Sequence, residues 1–199
     1  MTSRPRAWER TDDAVGHGVG RLARGDDGWL AHGVEVLADD GGGGGPGACW
    51  FRVRLDDGWL TREVDVRCLA GDGERILALR ADDDRRWTLD GRPRPDLDGC
   101  LDVDVAATPL TNTFPIRRLA GGSGLAALAV GERTTLAVAW VDVPALTVAR
   151  VEQTYERLGE RAWRYRDDTH GAFDLTVDAD GVVVDYEGLA RRVGGSDGG

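Results

Sequence analysis

The chain contains no lysine: all 25 of its basic residues are arginine. Against them stand 35 acidic residues, a net charge of −10, so no basic surface is available to release counterions from a nucleic acid or to hold an anionic membrane by charge. With abundant glycine and alanine, the arginine bias matches a GC-rich genome and carries no functional weight. No run of about eighteen apolar residues occurs, and residues 1–8 lack an apolar secretion core, so the expectation is a cytoplasmic chain without integral membrane contact. Cysteine is scarce and odd in number. Cys49, Cys68 and Cys100 are widely spaced with no C-x-x-C pair, and read as reduced, buried small hydrophobes. His17, His32 and His170 show no metal spacing, and no phosphate-cradling glycine loop leads into a helix. Ser123 sits in a glycine-rich run that has Leu125 where G-x-S-x-G needs its second glycine. These absences point away from catalysis, metals and cofactors.

What is present is strand periodicity. Apolar content of 41% and charged content of 30% over 199 residues suit a single folded domain, placed here at residues 1–193 with a disordered tail at 194–199. Residues 30–37 alternate, and residues 49–55 set Cys49, Phe51, Val53 and Leu55 on one face against Trp50, Arg52 and Arg54 on the other. Asp-rich turns at 56–58, 82–84 and 178–181 separate hairpins. Further strands are expected at 60–69, 76–81, 85–90, 125–130, 134–141, 147–156, 173–177 and 182–186. The glycine run 41–45 reads as a mobile loop. The tetrad 178–181 has D-x-D-G form, but Val182 and Leu189 fall where a calcium loop needs oxygen ligands, so it reads as a turn. The hairpins at 79–91 and 175–188 echo each other loosely, a hint of internal duplication. About a dozen short strands without a long helix predict an all-β fold, a curved antiparallel roll or open barrel.

One stretch exceeds ordinary strand and turn chemistry. In residues 97–119, Asp102 and Asp104 alternate with valines, two prolines bracket Thr111, Asn112 and Thr113 with Thr108 just before the first, and Arg117 and Arg118 close the run. Two acids spaced by two share one face of a strand, either as a solvated face or within a polar network that an arginine could complete through two parallel N–H contacts. If 117–118 is also strand, one arginine points to each of its faces. The hydroxyls and amide suit a satisfied structural corner, and equally the hydroxyls of a sugar. The many large rings are expected mainly in the core, where a ring-lined sheet could also hold an acyl chain.

With these residues go Gln153-x-Tyr155 and the ending Val177-Asp178-x-x-Gly181-x-Val183-x-x-Tyr186-x-Gly188-Leu189. On them the chain resembles the glycolipid-binding family earlier catalogued as a domain of unknown function, from about Trp8 to Leu189. The resemblance implies a spiral β-roll similar in shape to bacterial lipoprotein carriers, non-catalytic, with an apolar concave face for an acyl chain. The head group is expected at Asp102, Asp104, Thr108, Thr111, Asn112, Arg117, Arg118, Gln153, Tyr155 and Tyr186. The chain departs from the family at Leu55-Asp56, where Cys-Asp is usual, near Gly18, where an acidic residue is expected, and at 190–192. Two rival readings stay open: a hydrolase or isomerase acting on a glycolipid through Asp102 or Asp104, and a ligand-free structural or interaction domain. Nothing in the sequence sets an oligomeric state.

Overall fold

Alternating apolar and polar residues make each strand one-sided, and short Asp-rich turns make neighbouring strands antiparallel; the sheet curls so that its apolar face meets itself. The computed structural model describes residues 4–13, 15–39, 45–71, 73–106, 108–122, 124 and 126–194. Most of the glycine run, Ser123 and the tail from residue 195 lie outside the described residues.

The first half of the sheet comprises β1 (Arg6–Arg10), β2 (Val15–Gly25), β3 (Gly28–Asp39), β4 (Gly47–Leu55), β5 (Thr61–Ala70), β6 (Gly73–Ala81), β7 (Trp87–Leu89) and β8 (Arg92–Pro93). A single 3-10 turn at Pro95–Leu97 leads to β9 (Asp102–Val105), then to the one-turn helix α1 (Thr113–Arg117), which continues into a wider helical turn at Arg118–Gly122. The second half comprises β10 (Arg133–Val141), β11 (Val148–Arg157), β12 (Ala162–Asp167), β13 (Gly171–Val177), β14 (Val183–Tyr186) and β15 (Ala190–Val193). All fifteen form one sheet in the order β8-β7-β6-β5-β4-β3-β2-β1-β15-β14-β13-β12-β11-β10-β9. Every pairing is antiparallel except β9 with β10. Among the described residues the sheet does not close by a ladder; instead the β9 edge meets the start of β5, where the Thr61 N–H donates to the Leu101 carbonyl at 3.0 Å.

The turns form as their aspartates require. Asp56 Oδ1 accepts from the Leu60 N–H and Asp82 Oδ1 from the Arg86 N–H, each closing its turn four residues on, and Asp178 Oδ1 accepts from Val182 in the same way and also from the Asp180 N–H, which makes an Asx turn. Along β10, Val138 and Ala139 are both fully buried, as expected of a strand apolar on both faces.

Two local expectations are overturned. Residues 126–130 are not a strand: small alanines offer little apolar area to a ladder, the Leu128 N–H donates instead to the Leu119 carbonyl at 2.8 Å, and Val130 is 63% exposed. Arg117 and Arg118 do not lie on a strand either. The turn at 110–114 winds directly into α1, where Pro115 falls among the early helical positions whose N–H groups have no intrahelical acceptor.

That helix fills the roll. Leu110 and Phe114 are buried in one cluster with Trp8, Trp59 and Trp87, and Ile116 in a second with Trp163. The indole N–H of Trp8 donates to the Val183 carbonyl and that of Trp87 to the Cys100 carbonyl, satisfying rings that could not otherwise be buried whole. The concave face expected to carry an acyl chain is therefore covered by the 110–116 segment. Close approach of ring and backbone requires glycine at residue 33: a Cβ there would lie 2.7 Å from Phe51 Cε1 and 3.0 Å from the Val19 carbonyl oxygen. Gly33→Ala is expected to destabilise the fold by about 1–3 kcal/mol, the usual cost of overpacking, read as a lowered urea midpoint.

Candidate functional site

Asp102 and Asp104 share a face of β9, but their environments differ. Asp102, 1% exposed, takes two parallel hydrogen bonds from Arg118, Nη1 to Oδ1 at 2.7 Å and Nη2 to Oδ2 at 2.5 Å. Arg118 Nη1 also donates to the Trp59 carbonyl at 3.1 Å. Asp104 is held by neutral donors: Thr111 Oγ1 donates to Oδ1 at 2.8 Å and Gln153 Nε2 to Oδ2 at 2.6 Å. Behind Gln153 the network continues, with Tyr155 OH donating to Gln153 Oε1 and Asn112 Nδ2 donating to Tyr155 OH. Burial pushes the Asp104 carboxyl up from the usual carboxylate range, with the two hydrogen bonds opposing. Burial and the nearby Asp104 raise the Tyr155 phenol too.

Asp104, Thr108 and Asn112 form one wall of a cleft of about 290 Å³. Trp140, Tyr165, Phe173 and Tyr186 supply its aromatic surface, and Arg10, Asp12, Asp167 and His170 stand around it. The rings brace one another: Tyr165 and Tyr186 centroids are 5.9 Å apart, and Phe173 and Tyr186 5.7 Å. Asp167 is fixed by donors. It accepts from Tyr165 OH at 2.5 Å and from the Thr169 and His170 N–H groups at 2.7 and 2.6 Å, while His170 Nδ1 lies 3.1 Å away. Burial works against its charge, yet these hydrogen bonds hold its carboxyl below the ordinary value.

A second cleft, of about 400 Å³, is chiefly apolar: Leu37, Ala48, Cys49, Val143, Pro144 and Ala145 line it, with Arg75 among them. Strand directions put both clefts at one end of the roll. Ala106 in the first bonds to Val141, two residues before Val143 in the second. Glu35 stands between them, hydrogen-bonded to Thr108 of the first and opposite Cys49 of the second. It is 3% exposed, and its Oε1 has no hydrogen-bond partner. Burial pushes its carboxyl up to about 7, against the Thr108 hydrogen bond and the Arg10 charge. Gly18, near which an acidic residue is expected from the family resemblance, pairs with Glu35 across the strands, and a Cβ at residue 18 would collide with the Glu35 carboxyl.

Of the ten residues expected to meet a head group, Asp104, Thr108, Asn112 and Tyr186 line the polar cleft. Thr111, Gln153 and Tyr155 support them from behind. Asp102 and Arg118 form a separate buried pair, and the Arg117 guanidinium lies over the Trp59 ring at 4.9 Å. Sequence reasoning missed Trp140, Tyr165, Asp167, His170 and Glu35. A ring inside the aliphatic run of β10, and a tyrosine and aspartate two apart on β12, were the available signals. Among the described residues no cluster of three or more His, Cys, Asp or Glu is arranged to hold a metal, and no helix is long and apolar enough to cross a membrane.

A rolled, incompletely closed, almost wholly antiparallel sheet with a polar, ring-lined cleft beside an apolar one at one end defines a β-barrel-like protein. The fold matches that of a solved β-barrel-like protein of domain of unknown function DUF1849 from Brucella abortus, with TM-score 0.56 and 12% identity over 96% of this chain and 95% of that one. A crystal structure of a DUF1089 family protein from Pseudomonas aeruginosa is more similar, with TM-score 0.76 and 34% identity over 88% of this chain and 92% of that one. No curated protein sequence matches. The chain belongs to the family described as "Putative glycolipid-binding", whose model matches residues 6–192.

Proposed function

We propose that this protein binds a glycolipid non-catalytically across the two clefts, with the sugar against the ring-lined polar wall and the start of the acyl chain in the apolar cleft. The observation that carries this reading is the pairing of the two surfaces at one end of the roll, parted by Glu35. Sugars present apolar C–H faces that stack on rings and hydroxyls that need both donors and acceptors; Trp140 and Tyr186 offer the first, Asp104, Asn112 and Asp167 the second. The family description supports the same ligand class.

Native mass spectrometry of the purified chain with total lipid extract tests the proposal. A bound glycolipid is expected, and an unliganded mass throughout overturns it. Once a ligand is in hand, Trp140→Ala is expected to weaken binding roughly tenfold, the scale of one lost ring contact, measured by calorimetry, with the urea midpoint serving as the folding control.

A second reading rests on one observation: Asp104 and Asp167 stand in the same cleft with carboxyls shifted in opposite directions. A raised acid beside a lowered one is the arrangement of acid and base in glycoside cleavage. Release of free sugar from the bound glycolipid, abolished in Asp104→Asn, would replace binding by hydrolysis; intact ligand after prolonged incubation removes this reading.

A further inference from the structure

Cys49 and Cys68 are directly opposed on β4 and β5. Their sulfurs are 2.7 Å apart, well inside ordinary non-bonded contact. Directly paired antiparallel residues have Cα separations of about 4.5–5.5 Å, within the range a disulfide spans. The register extends this pair into a row across four strands, Glu35, Cys49, Cys68 and Arg75, one from each of β3 to β6. Both thiols are buried, at 5% and 1% exposure, but Cys49 lines the apolar cleft, which also includes Arg75. Cys100 is 0% exposed and packs near Arg150, with Sγ 3.9 Å from Nη1.

We propose that Cys49 and Cys68 form a redox-active dithiol, which an organic hydroperoxide entering the apolar cleft oxidises to a cross-strand disulfide. The electrostatics of the row favour a thiolate on Cys68. The hydrogen bond shared with Cys49 holds the Cys68 thiol below its ordinary value despite burial, and the Arg75 charge helps. That same bond, burial and the Glu35 carboxylate push Cys49 up. In the first step one sulfur attacks the terminal peroxide oxygen, the O–O bond breaks, and the alkoxide leaves and takes a proton to become the alcohol. In the second, the other sulfur attacks the resulting sulfenic acid and its hydroxyl departs with a proton as water. The sum is two thiols plus one hydroperoxide giving one disulfide, one alcohol and one water, with the sulfurs supplying both electrons.

The test uses the full chain with tert-butyl hydroperoxide and needs no lipid, so its outcome is independent of the glycolipid reading. Maleimide-reactive thiols, counted after unfolding, are expected to fall from three to one. Non-reducing peptide mapping should join Cys49 to Cys68 within one chain, and dithiothreitol should restore all three thiols. Cys100→Ser is expected to leave the cross-link intact. In Cys49→Ser, Cys68 should instead accumulate sulfenic acid that dimedone captures. Three thiols persisting after treatment, a bond to Cys100, or a cross-link only between chains overturns the proposal.

Discussion

Asp102→Ala is expected to lower the unfolding free energy by about 3–5 kcal/mol, the cost of stranding one member of a buried ion pair. The carboxylate is 1% exposed and bound twice by Arg118. Removing it takes two hydrogen-bond acceptors and their charge away from a guanidinium buried inside the roll. The complementary change separates charge burial from packing. Replacing both members, Asp102→Leu with Arg118→Met, is expected to recover most of the loss, because two desolvated charges give way to apolar contact. Urea unfolding of the two variants decides the matter. A single-variant cost under about 1 kcal/mol would put the pair with exposed ones and remove its part in holding α1 to β9.

Glu35→Gln is expected to change how stability depends on pH. The Glu35 carboxyl is pushed from 4.5 up to about 7 by burial. Below pH 4.5 the group is protonated in both the folded and the unfolded chain. As pH rises from there, the unfolded chain loses the proton while the folded chain keeps it, so folded-state stability falls until the pH passes about 7. The fall attributable to this group is on the order of 3 kcal/mol. Glutamine removes that component, so the variant should gain on the wild type between pH 5 and pH 8. Asp104, also raised by burial, contributes to both proteins and cancels in the difference. Unfolding free energies of the two proteins at those two pH values provide the measurement, and an equal gap at both would refute the assignment.

The hairpins were legible because each carries its own local signature. Cys49, Phe51, Val53 and Leu55 alternate with charged and aromatic residues, and the aspartates at 56, 82 and 178 mark turns that each close through a hydrogen bond to the aspartate side chain. Asp102 and Asp104 were legible as a same-face pair, but their separate fates were not. Which one meets an arginine depends on α1 folding back through the roll, a contact between residues distant in the sheet that no periodicity encodes. Arg117 and Arg118 misled for a related reason. Two adjacent arginines after an isoleucine fit a strand as well as a helix, and the preceding turn decides between them. The polar cleft was half visible: residues 104–112 come from one stretch, whereas Trp140, Tyr165, Asp167 and His170 join only through strand pairing.

The place of β1 beside β15 has a kinetic consequence. Apart from this seam, every pair in the sheet joins strands adjacent in sequence, and all of these but the parallel β9–β10 pair are antiparallel, so two long meanders can zip by successive local hairpins. The seam joins residues such as Trp8 and Arg192 across nearly the whole chain, and its ion pairs from Arg6 and Arg192 converge on Asp178. Closing so large a loop is entropically slow. The order of events this topology favours is two preformed half-rolls meeting at β1 and β15 around the 110–116 segment.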